Sequence, residues 1–393
     1  MKRVGVITMH RVQNCGSTLQ AYALQKKIQL LGFDVEIIDY LYPNKEHSER
    51  QKIQFFAEKN FLVYFFKNLI AHILLLVSFG RFRDRIHEVI LRNQIRSNFR
   101  SFWKRNYNLS TQRYCTFESI KKDPPSYDIY VVGSDQVWNP KYMVGDSNFL
   151  LDFAPTTAQK VSFASSMSVN KVAGDDLSLL RSTLKSFDYI SVREKSTVDI
   201  FREKIGLAAE YVCDPTFLLS GSEWKKFCCI GSPVVRGKYL LVYVLDYSMN
   251  PYPEIIHVIR KLQQRLGLHV VVLDALNGLE NDDNVTYIRA YGPDIFLNLF
   301  YHANFVLTSS FHGTAFSLNF EKNFYSVVRN KKAQDCRIVD FLQSIGRDDN
   351  LLELDSWKEK INAHAFYAVE DSLEKLNLLK QKSVASLNRA LLS

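Results

Sequence analysis

A histidine at position 312 stands in a short polar turn that follows an apolar segment. The turn separates a strand pattern from a helix pattern and reads Ser309-Ser310-Phe311-His312-Gly313. Because the first N–H groups of a helix are free and its dipole favours negative charge, the turn predicts an anion site. An imidazole there can donate a proton near neutral pH. Gly313 would let a ligand approach the backbone, and Ser309 or Ser310 can cap the helix or bind an oxyanion. A capping turn with an incidental histidine is the alternative.

A second polar segment follows an apolar run in the first half of the chain. It consists of Gly133, Ser134, Asp135 and Gln136, with Trp138 two residues further on. Asp135 is a candidate base for an acceptor hydroxyl, and Trp138 is a candidate platform for a sugar ring. An N-cap aspartate beside a buried tryptophan is the alternative interpretation.

Cations for an anionic ligand occur at two further places. Arg193 ends another strand pattern, where its guanidinium needs either a ligand or a salt bridge to Glu194 or Asp214. The segment after the His312 helix adds three candidates for a multiply charged ligand: Lys331, Lys332 and Arg337.

The loop between the first strand and the first helix contains Asn14 and Gly16, in a position that can cradle a phosphate. It matches neither the dinucleotide-binding glycine pattern nor a P-loop. Both residues are therefore candidate ligand contacts without a specific motif.

The elements that must hold these residues form two series of alternating strand and helix patterns. Each series opens with a short apolar run followed by a periodic helix, which is typical of a doubly wound α/β sheet. We therefore predict two Rossmann-like domains facing a cleft, an N-terminal one at 1–220 and a C-terminal one at 237–393 that includes the last helices. A basic helical insertion is predicted within the first, at about 44–117.

Composition excludes several classes of protein. The chain has 393 residues, 47% of them hydrophobic, which argues for packed domains rather than disorder. Its six cysteines show no metal-binding or disulfide spacing, and no secretory signal precedes the first strand. We therefore expect a cytoplasmic protein with reduced thiols, no metal site and no cofactor.

The net charge of +9 favours an anionic partner. The segment from Arg81 to Arg105 contains eight basic residues and only two acidic ones. This segment alternates with aliphatic runs and has no recognised nucleic-acid motif, so nucleic-acid binding is not expected. A basic surface that contacts an anionic membrane at its inner face, helices covering a sheet edge, and a lid over the site are the interpretations left open.

Six segments in register resemble the polysaccharide pyruvyl transferase family. They are Asn14-Cys15-Gly16, Leu19 to Leu24, Gly133 to Asn139, Ser191 to Glu194, Asp214-Pro215-Thr216 and Ser310 to Gly313. The resemblance implies a fold similar to GT-B glycosyltransferases. It also implies transfer of pyruvate from phosphoenolpyruvate, as a cyclic ketal, to a sugar of a capsule, exopolysaccharide or cell-wall glycan.

Residue roles follow from the same resemblance. The family's histidine falls on His312 as general acid, and an arginine of its donor site falls on Arg193. Members of the family tend to carry another arginine where this chain has Ser310, so positive charge must come from elsewhere. Cys15 likewise replaces an aromatic residue, which we interpret as tolerated packing.

Two other classes of function remain open at this stage. A GT-B-type nucleotide-sugar glycosyltransferase would have the same two-domain cleft, and a non-catalytic glycan-binding protein would consume no donor. Under the main hypothesis the partners are phosphoenolpyruvate and a glycan acceptor, lipid-linked in view of the basic insertion.

Overall fold

The computed structural model describes residues 2–41, 81–139, 147–167, 174–245, 249–280, 282–330, 337–363 and 370–393. The strands form two parallel sheets. The first sheet contains β1 (Arg3–Ile7), β2 (Asp34–Tyr40), β3 (Leu109–Tyr114), β4 (Ile129–Val132), β5 (Gln159–Ser165), β6 (Tyr189–Val192) and β7 (Glu210–Tyr211). The second contains β8 (Tyr239–Tyr243), β9 (His269–Leu273), β10 (Val285–Ile288), β11 (Phe305–Thr308), β12 (Asn323–Val328) and β13 (Leu351–Glu353).

Helices connect these strands and cover both faces of each sheet. They are α1 (Cys15–Leu30), α2 (Arg81–Asn106), α3 (Phe117–Lys122), α4 (Gly174–Leu184), α5 (Lys195–Ile200), α6 (Gly221–Phe227), α7 (Glu254–Leu266), α8 (Pro293–His302), α9 (Phe311–Asn319), α10 (Arg337–Ser344), α11 (Trp357–Ala363) and α12 (Glu370–Leu392). Short helical turns at Asn148–Leu150, Phe201–Ile205, Pro215–Leu218 and Asp348–Asn350 complete the connections.

Both sheets have doubly wound topology. The strand order is β3-β2-β1-β4-β5-β6-β7 in the first sheet and β10-β9-β8-β11-β12-β13 in the second. The order reverses between β1 and β4, and again between β8 and β11, and ligands bind beside such reversals. Helix α1 follows β1 and helix α9 follows β11, so both begin at a reversal. The prediction of two Rossmann-like α/β domains is confirmed.

Strand β3 lies in the segment that was predicted as a helical insertion. Residues 42–80 of that segment lie outside the described residues, α2 is helical as expected, and β3 pairs in parallel with β2. As the edge strand it exposes its three central residues, Thr111, Gln112 and Arg113. A polar edge strand lacks the apolar run by which the buried strands were recognised.

Helix α2 packs between the two domains. Its buried side chains Phe99, Phe102 and Trp103 join the main core, and Trp103 Nε1 donates to Thr18 Oγ1 of α1 at 3.2 Å. On the other side, Arg105 Nη2 lies 2.6 Å from Asp294 Oδ2 of α8. Within the described ranges, no helix combines the length and apolar character needed to cross a membrane.

The hydrophobic core is continuous across the two domains. Tyr22 of α1 lies 5.8 Å from Trp224 of α6, measured between ring centroids, and Trp224 lies 5.1 Å from Phe316 of α9. Phe316 in turn contacts Phe296 of α8 at 5.6 Å. This packing holds the ends of α1 and α9 against each other.

The last helix, α12, returns to the first sheet. Gln159 Nε2 of β5 donates to the carbonyl of Ala390 at 2.8 Å, and Arg389 Nη2 donates to Glu210 Oε2 of β7 at the same distance. This helix was predicted as part of the C-terminal domain, and these contacts join it to the N-terminal one.

Candidate active site

His312 is the second residue of the buried helix α9 and faces the first domain. Ser310 caps this helix, because its Oγ accepts from the Gly313 N–H at 3.3 Å. The side chain of Thr308 accepts from the Ser310 N–H at 3.1 Å and fixes the turn. The imidazole thus lies at a helix start, where anions are favoured.

The carboxylate of Asp214 faces this imidazole from the other domain. His312 Nε2 lies 3.7 Å from Asp214 Oδ2, which is an ion-pair distance rather than a hydrogen bond. Nε2 is buried and has no hydrogen-bond partner among the described residues. Asp214 follows β7 and caps the turn Pro215–Leu218, since its Oδ1 accepts from the Thr216 N–H at 2.9 Å.

Asp214 is also the main partner of Arg193. Arg193 Nη1 donates to Asp214 Oδ2 at 2.7 Å, and Arg193 Nε donates to Glu194 Oε1 at 3.3 Å. The guanidinium packs over the Phe311 ring at 4.8 Å. Its Nη2 is buried and unpaired within the part of the chain that the structure describes. Arg193 is thus both held by acids and left with one free donor.

Electrostatics keep this group of side chains charged. Burial would raise the pKa of Asp214, but the facing His312 and Arg193 outweigh it and hold that pKa far below its ordinary value of 3.8. Burial would lower the pKa of Arg193, but the charges of Glu194 and Asp214 raise it above its ordinary value. The site therefore contains a fixed ion pair next to the imidazole of His312.

Two buried polar atoms of this site, His312 Nε2 and Arg193 Nη2, have no hydrogen-bond partner among the described residues, and a bound ligand can pair them. A buried donor or acceptor without a partner costs about 1–3 kcal/mol, and such groups are rare in native proteins. His312 Nε2 and the guanidinium of Arg193 both approach Asp214 Oδ2. Together they can bind an oxyanion and deliver a proton to it or to an adjacent atom.

Helix α1 contributes the wall on the first-domain side. Asn14 caps it by accepting from the Ser17 N–H at 3.1 Å. A Cβ atom built on Gly16 would lie 2.0 Å from His312 Nδ1, so Gly16 is the contact through which the helix meets the imidazole. The structure thus brings the predicted residues Gly16 and His312 together, while Asn14 has a capping role.

The segment after β4 reaches the same place through hydrogen bonds. Ser134 Oγ donates to Asp214 Oδ2 at 3.2 Å. Asp135 is buried, has a left-handed backbone with φ of 76°, accepts from the Gln136 N–H at 2.8 Å and accepts a short hydrogen bond from the Ser17 hydroxyl. A left-handed aspartate held in this way is consistent with a functional position.

The structure corrects the sugar-platform interpretation of Trp138. Trp138 is fully buried, donates through Nε1 to the carbonyl of Phe149 at 3.0 Å, and stacks on Phe201 at 5.7 Å. Its ring faces are covered by protein. It is therefore a core residue, as the alternative interpretation had it.

Other candidate contacts have local packing roles. Added Cβ atoms would lie 2.2 Å from Thr308 Oγ1 at Gly313 and 2.9 Å from the Thr8 Cβ at Gly133, so both glycines permit internal packing instead of ligand approach. Ser309 Oγ accepts from the Leu245 N–H at 2.8 Å. Gln136 Oε1 accepts from Asn139 Nδ2 at 2.9 Å.

The three predicted cations after α9 have different outcomes. Lys331 and Lys332 lie outside the described residues. Arg337 begins α10 and lies near enough to Arg193 for its charge to lower the pKa of that guanidinium, although the neighbouring acids outweigh this effect. Positive charge from Arg337 therefore reaches the site.

From the sequence, Asp214 and Glu194 were considered only as salt-bridge partners of Arg193. The signal for Asp214 was present, because Asp214-Pro215-Thr216 follows a strand pattern and reads as a cap with proline at the first helical position. Glu194 also accepts from Ser166 and Thr197 hydroxyls. Among the described residues, no three or more His, Cys, Asp or Glu side chains are arranged to hold a metal ion.

Known structures share this fold at low sequence identity. UDP-GlcNAc 2-epimerase from Methanocaldococcus jannaschii has a TM-score of 0.54 and 10% identity, covering 98% of this chain and 99% of its own. Its complex with UDP-GlcNAc and UDP gives 0.52 and 10%, covering 97% and 100%. A spinosyn rhamnosyltransferase gives 0.44 and 10%, with both chains covered completely. The similarity to the epimerase concerns the fold alone, because the identity is only 10%.

Family membership rests on the sequence itself. No curated protein sequence matches this chain. The family model for polysaccharide pyruvyl transferase matches residues 14–331, a range that begins at the α1 cap and includes Asp135, Arg193, Asp214 and His312. The match covers most of the chain, and it confirms the resemblance seen in the motifs. The chain therefore belongs to the polysaccharide pyruvyl transferase family.

Proposed function

We propose that this protein transfers pyruvate from phosphoenolpyruvate to a glycan, with His312 as the acid and a cyclic ketal as the product. The observation that carries the proposal is that two side chains which both approach Asp214 Oδ2 each have a buried atom with no hydrogen-bond partner among the described residues: Nε2 of His312 and Nη2 of Arg193. One is a proton donor and the other a fixed positive charge. An enol phosphate with a carboxylate needs both.

Donor binding would use the positive end of this site. The free Nη2 of Arg193 can take the carboxylate, and the first N–H groups of α9 can take phosphate oxygens. Ser310 stands where the family tends to have an arginine, and here it caps α9. Charge from Arg337, near Arg193, offsets that substitution.

The proposed reaction balances without a metal or a redox partner. His312 gives a proton to the methylene carbon of the enol, and a sugar hydroxyl oxygen bonds to the adjacent carbon. The hydroxyl proton passes to Asp135, and phosphate leaves with the electron pair of its C–O bond. A second hydroxyl of the same sugar then bonds to that carbon and closes the ketal; its proton returns to His312, and the proton on Asp135 passes to the released phosphate. The net products are the pyruvylated glycan and inorganic phosphate.

Replacement of His312 tests this proposal directly. H312Q keeps the size of the side chain but cannot donate a proton from a ring nitrogen. We expect the rates of phosphate release and of pyruvate addition to fall by about 10²- to 10⁴-fold. Mass spectrometry of the glycan measures the pyruvate addition. Near-normal turnover with phosphoenolpyruvate would remove the proposal. Turnover of nucleotide sugars instead would favour the glycosyltransferase alternative.

The acceptor is proposed to be lipid-linked, at the cytoplasmic face of a membrane. On α2, the apolar side is covered by α1 and α8, whereas Arg85, Arg92 and Lys104 are exposed. These exposed basic residues suit an anionic lipid surface. Sedimentation with vesicles that contain or lack anionic lipid tests the contact, and equal use of soluble and lipid-linked acceptors would contradict it.

A further inference from the structure

The segment that carries Asp214 lies between the two domains, where the turn Pro215–Leu218 packs against α1, α9 and α12. It leaves β7 at Tyr211 and enters the turn Pro215–Leu218. Asp214 is almost completely buried, and its oxygen atoms are already engaged by Arg193, Ser134 and Thr216. Its distance to His312 therefore depends on whatever holds the backbone on either side of it.

On the N-terminal side of Asp214, the holding group comes from the last helix. Ser383 of α12 is fully buried, and its Oγ accepts from the Cys213 N–H at 2.9 Å. The same hydroxyl donates to the Leu379 carbonyl at 2.7 Å within the helix. Its orientation is therefore fixed by α12 itself.

On the C-terminal side, a two-step relay reaches the same helix. Asn319, the last residue of α9, donates through Nδ2 to the Thr216 carbonyl at 2.8 Å. Its Oδ1 accepts from Lys380 Nζ of α12 at 3.1 Å. Lys380 is partly buried and packs over the Phe217 ring at 5.3 Å. Asn319 thus joins the helix of His312 to the loop of Asp214, and Lys380 fixes the Asn319 amide.

We infer that α12 positions the side chains of Asp214 and His312 relative to each other. Ser383, Asn319 and Lys380 are then positioning residues of the transfer reaction. Lys380 and Ser383 are three residues apart and therefore share one face of α12. That face holds the backbone on both sides of Asp214, while the rest of the helix is anchored on β5 and β7. The last segment of the chain, together with Trp224 Nε1, which donates to the Thr216 carbonyl at 3.0 Å, thereby positions the two groups 3.7 Å apart.

This inference deepens the proposed function and rests on it for its kinetic readout. S383A leaves the Cys213 N–H unpaired, and K380M keeps the apolar stem but frees the Asn319 amide. We expect each to lower kcat by about 10-fold or more, since small displacements at a reacting centre are costly. KM for phosphoenolpyruvate should stay within about threefold, because neither residue contacts the donor.

Matched controls on the same helix separate positioning from stability. Ser386 is also fully buried, but its hydroxyl contacts Tyr189, so S386A removes a buried hydroxyl without touching the Asp214 segment. Lys382 is an exposed lysine near Glu210, and K382M is the control for K380M. Both controls should have the kcat of the wild type. Their melting temperatures, compared with those of S383A and K380M, show how much of any kcat loss comes from lower stability.

Two further measurements complete the test. In an N319A background, K380M should have no additional effect on kcat, because both residues act through one relay. The imidazole NMR signals of His312, assigned with H312Q, should move in S383A and K380M but not in S386A. This second readout needs no turnover, so it still decides the positioning role if the wild-type chain transfers no pyruvate and the proposed function fails. The positioning role of α12 would be contradicted if the His312 signals did not move in S383A and K380M. It would also be contradicted if S386A lost as much kcat as S383A at equal stability.

Discussion

Gly16 and His312 are in direct contact across the two domains, so that a Cβ atom on Gly16 would lie 2.0 Å from the imidazole Nδ1. Gly16 lies in the first turn of α1, and no left-handed backbone requires a glycine there. The absence of a side chain is thus explained by space for the imidazole. The residue that bears no side chain thereby sets how closely the candidate acid approaches the first domain.

Substitution of Gly16 by alanine is expected to displace His312 from Asp214. Alanine favours a helix over glycine by about 1 kcal/mol, but the overlap with a buried ring costs about 1–3 kcal/mol. We expect a folded protein whose kcat is lower by about 10²-fold, as seen for misplacements of about 1 Å at reacting centres. Steady-state kinetics and thermal unfolding of G16A measure both effects.

A matched glycine gives the control for this prediction. Gly174 begins α4, and a Cβ added there would meet nothing within 4 Å. G174A should therefore leave kcat unchanged and keep or slightly increase stability. Equal activity of G16A and G174A would show that the imidazole does not need its observed position.

Neutralising Asp214 should lower the free energy of unfolding. D214N preserves shape but leaves Arg193 buried with Glu194 as its remaining acidic partner. Breaking a buried pair in this way costs about 3–5 kcal/mol. Urea unfolding should show this loss, whereas D199N, which removes an exposed partner of Arg202, should cost less than about 1 kcal/mol. Similar unfolding midpoints for both variants would contradict the buried ion pair.

Trp138 should matter for folding and not for the acceptor. W138F loses the hydrogen bond to the Phe149 carbonyl and part of the stacking on Phe201. We expect the free energy of unfolding to fall by about 1–3 kcal/mol, because a buried carbonyl loses its donor. KM for the glycan should be unchanged in W138F. A large increase in this KM at unchanged stability would restore the sugar-platform interpretation.

The sequence predicted those elements whose residues are uniformly apolar or clearly periodic. A buried parallel strand such as β9 is a continuous apolar run and α7 carries one apolar stripe, so both kinds of element follow from local patterns. Strand β3 was missed, since an edge strand needs little apolar surface. Its pairing with β2 depends on tertiary contacts that its own residues do not encode.

Candidate site residues were predicted individually from local patterns, but their arrangement relative to one another was not predicted. His312 was recognised from a helix start and Arg193 from a strand end, both of which are local patterns. The approach of His312 to Asp214 depends on the docking of two domains, and the choice between platform and core for Trp138 depends on Phe201. Long-range packing of this kind leaves no signature at fixed spacing along one sequence.

Asp39 at the end of β2 makes the stability of the first domain depend on pH. Its carboxylate accepts from Arg11 Nε and Nη2 at 2.8 Å and from Arg113 Nε at 2.7 Å, and it lies 3.3 Å from His10 Nε2. Burial would raise the pKa of Asp39, but hydrogen bonds from His10 and Arg11 outweigh it and hold that pKa far below its ordinary value of 3.8. A carboxyl whose pKa is lower in the folded than in the unfolded state stabilises the fold above the unfolded value.

That contribution must disappear as the solution becomes acidic. At neutral pH, D39N should lower the free energy of unfolding by about 3 kcal/mol, since it removes the charged partner of two arginines. From about pH 4 downward the unfolded wild-type chain binds a proton at Asp39 that the folded chain does not, so wild type loses stability and approaches D39N. Urea unfolding of both proteins across this range measures the difference. A difference that stays constant down to the lowest pH at which both still fold would mean that Asp39 keeps an ordinary pKa and that its arginine contacts do not stabilise the fold.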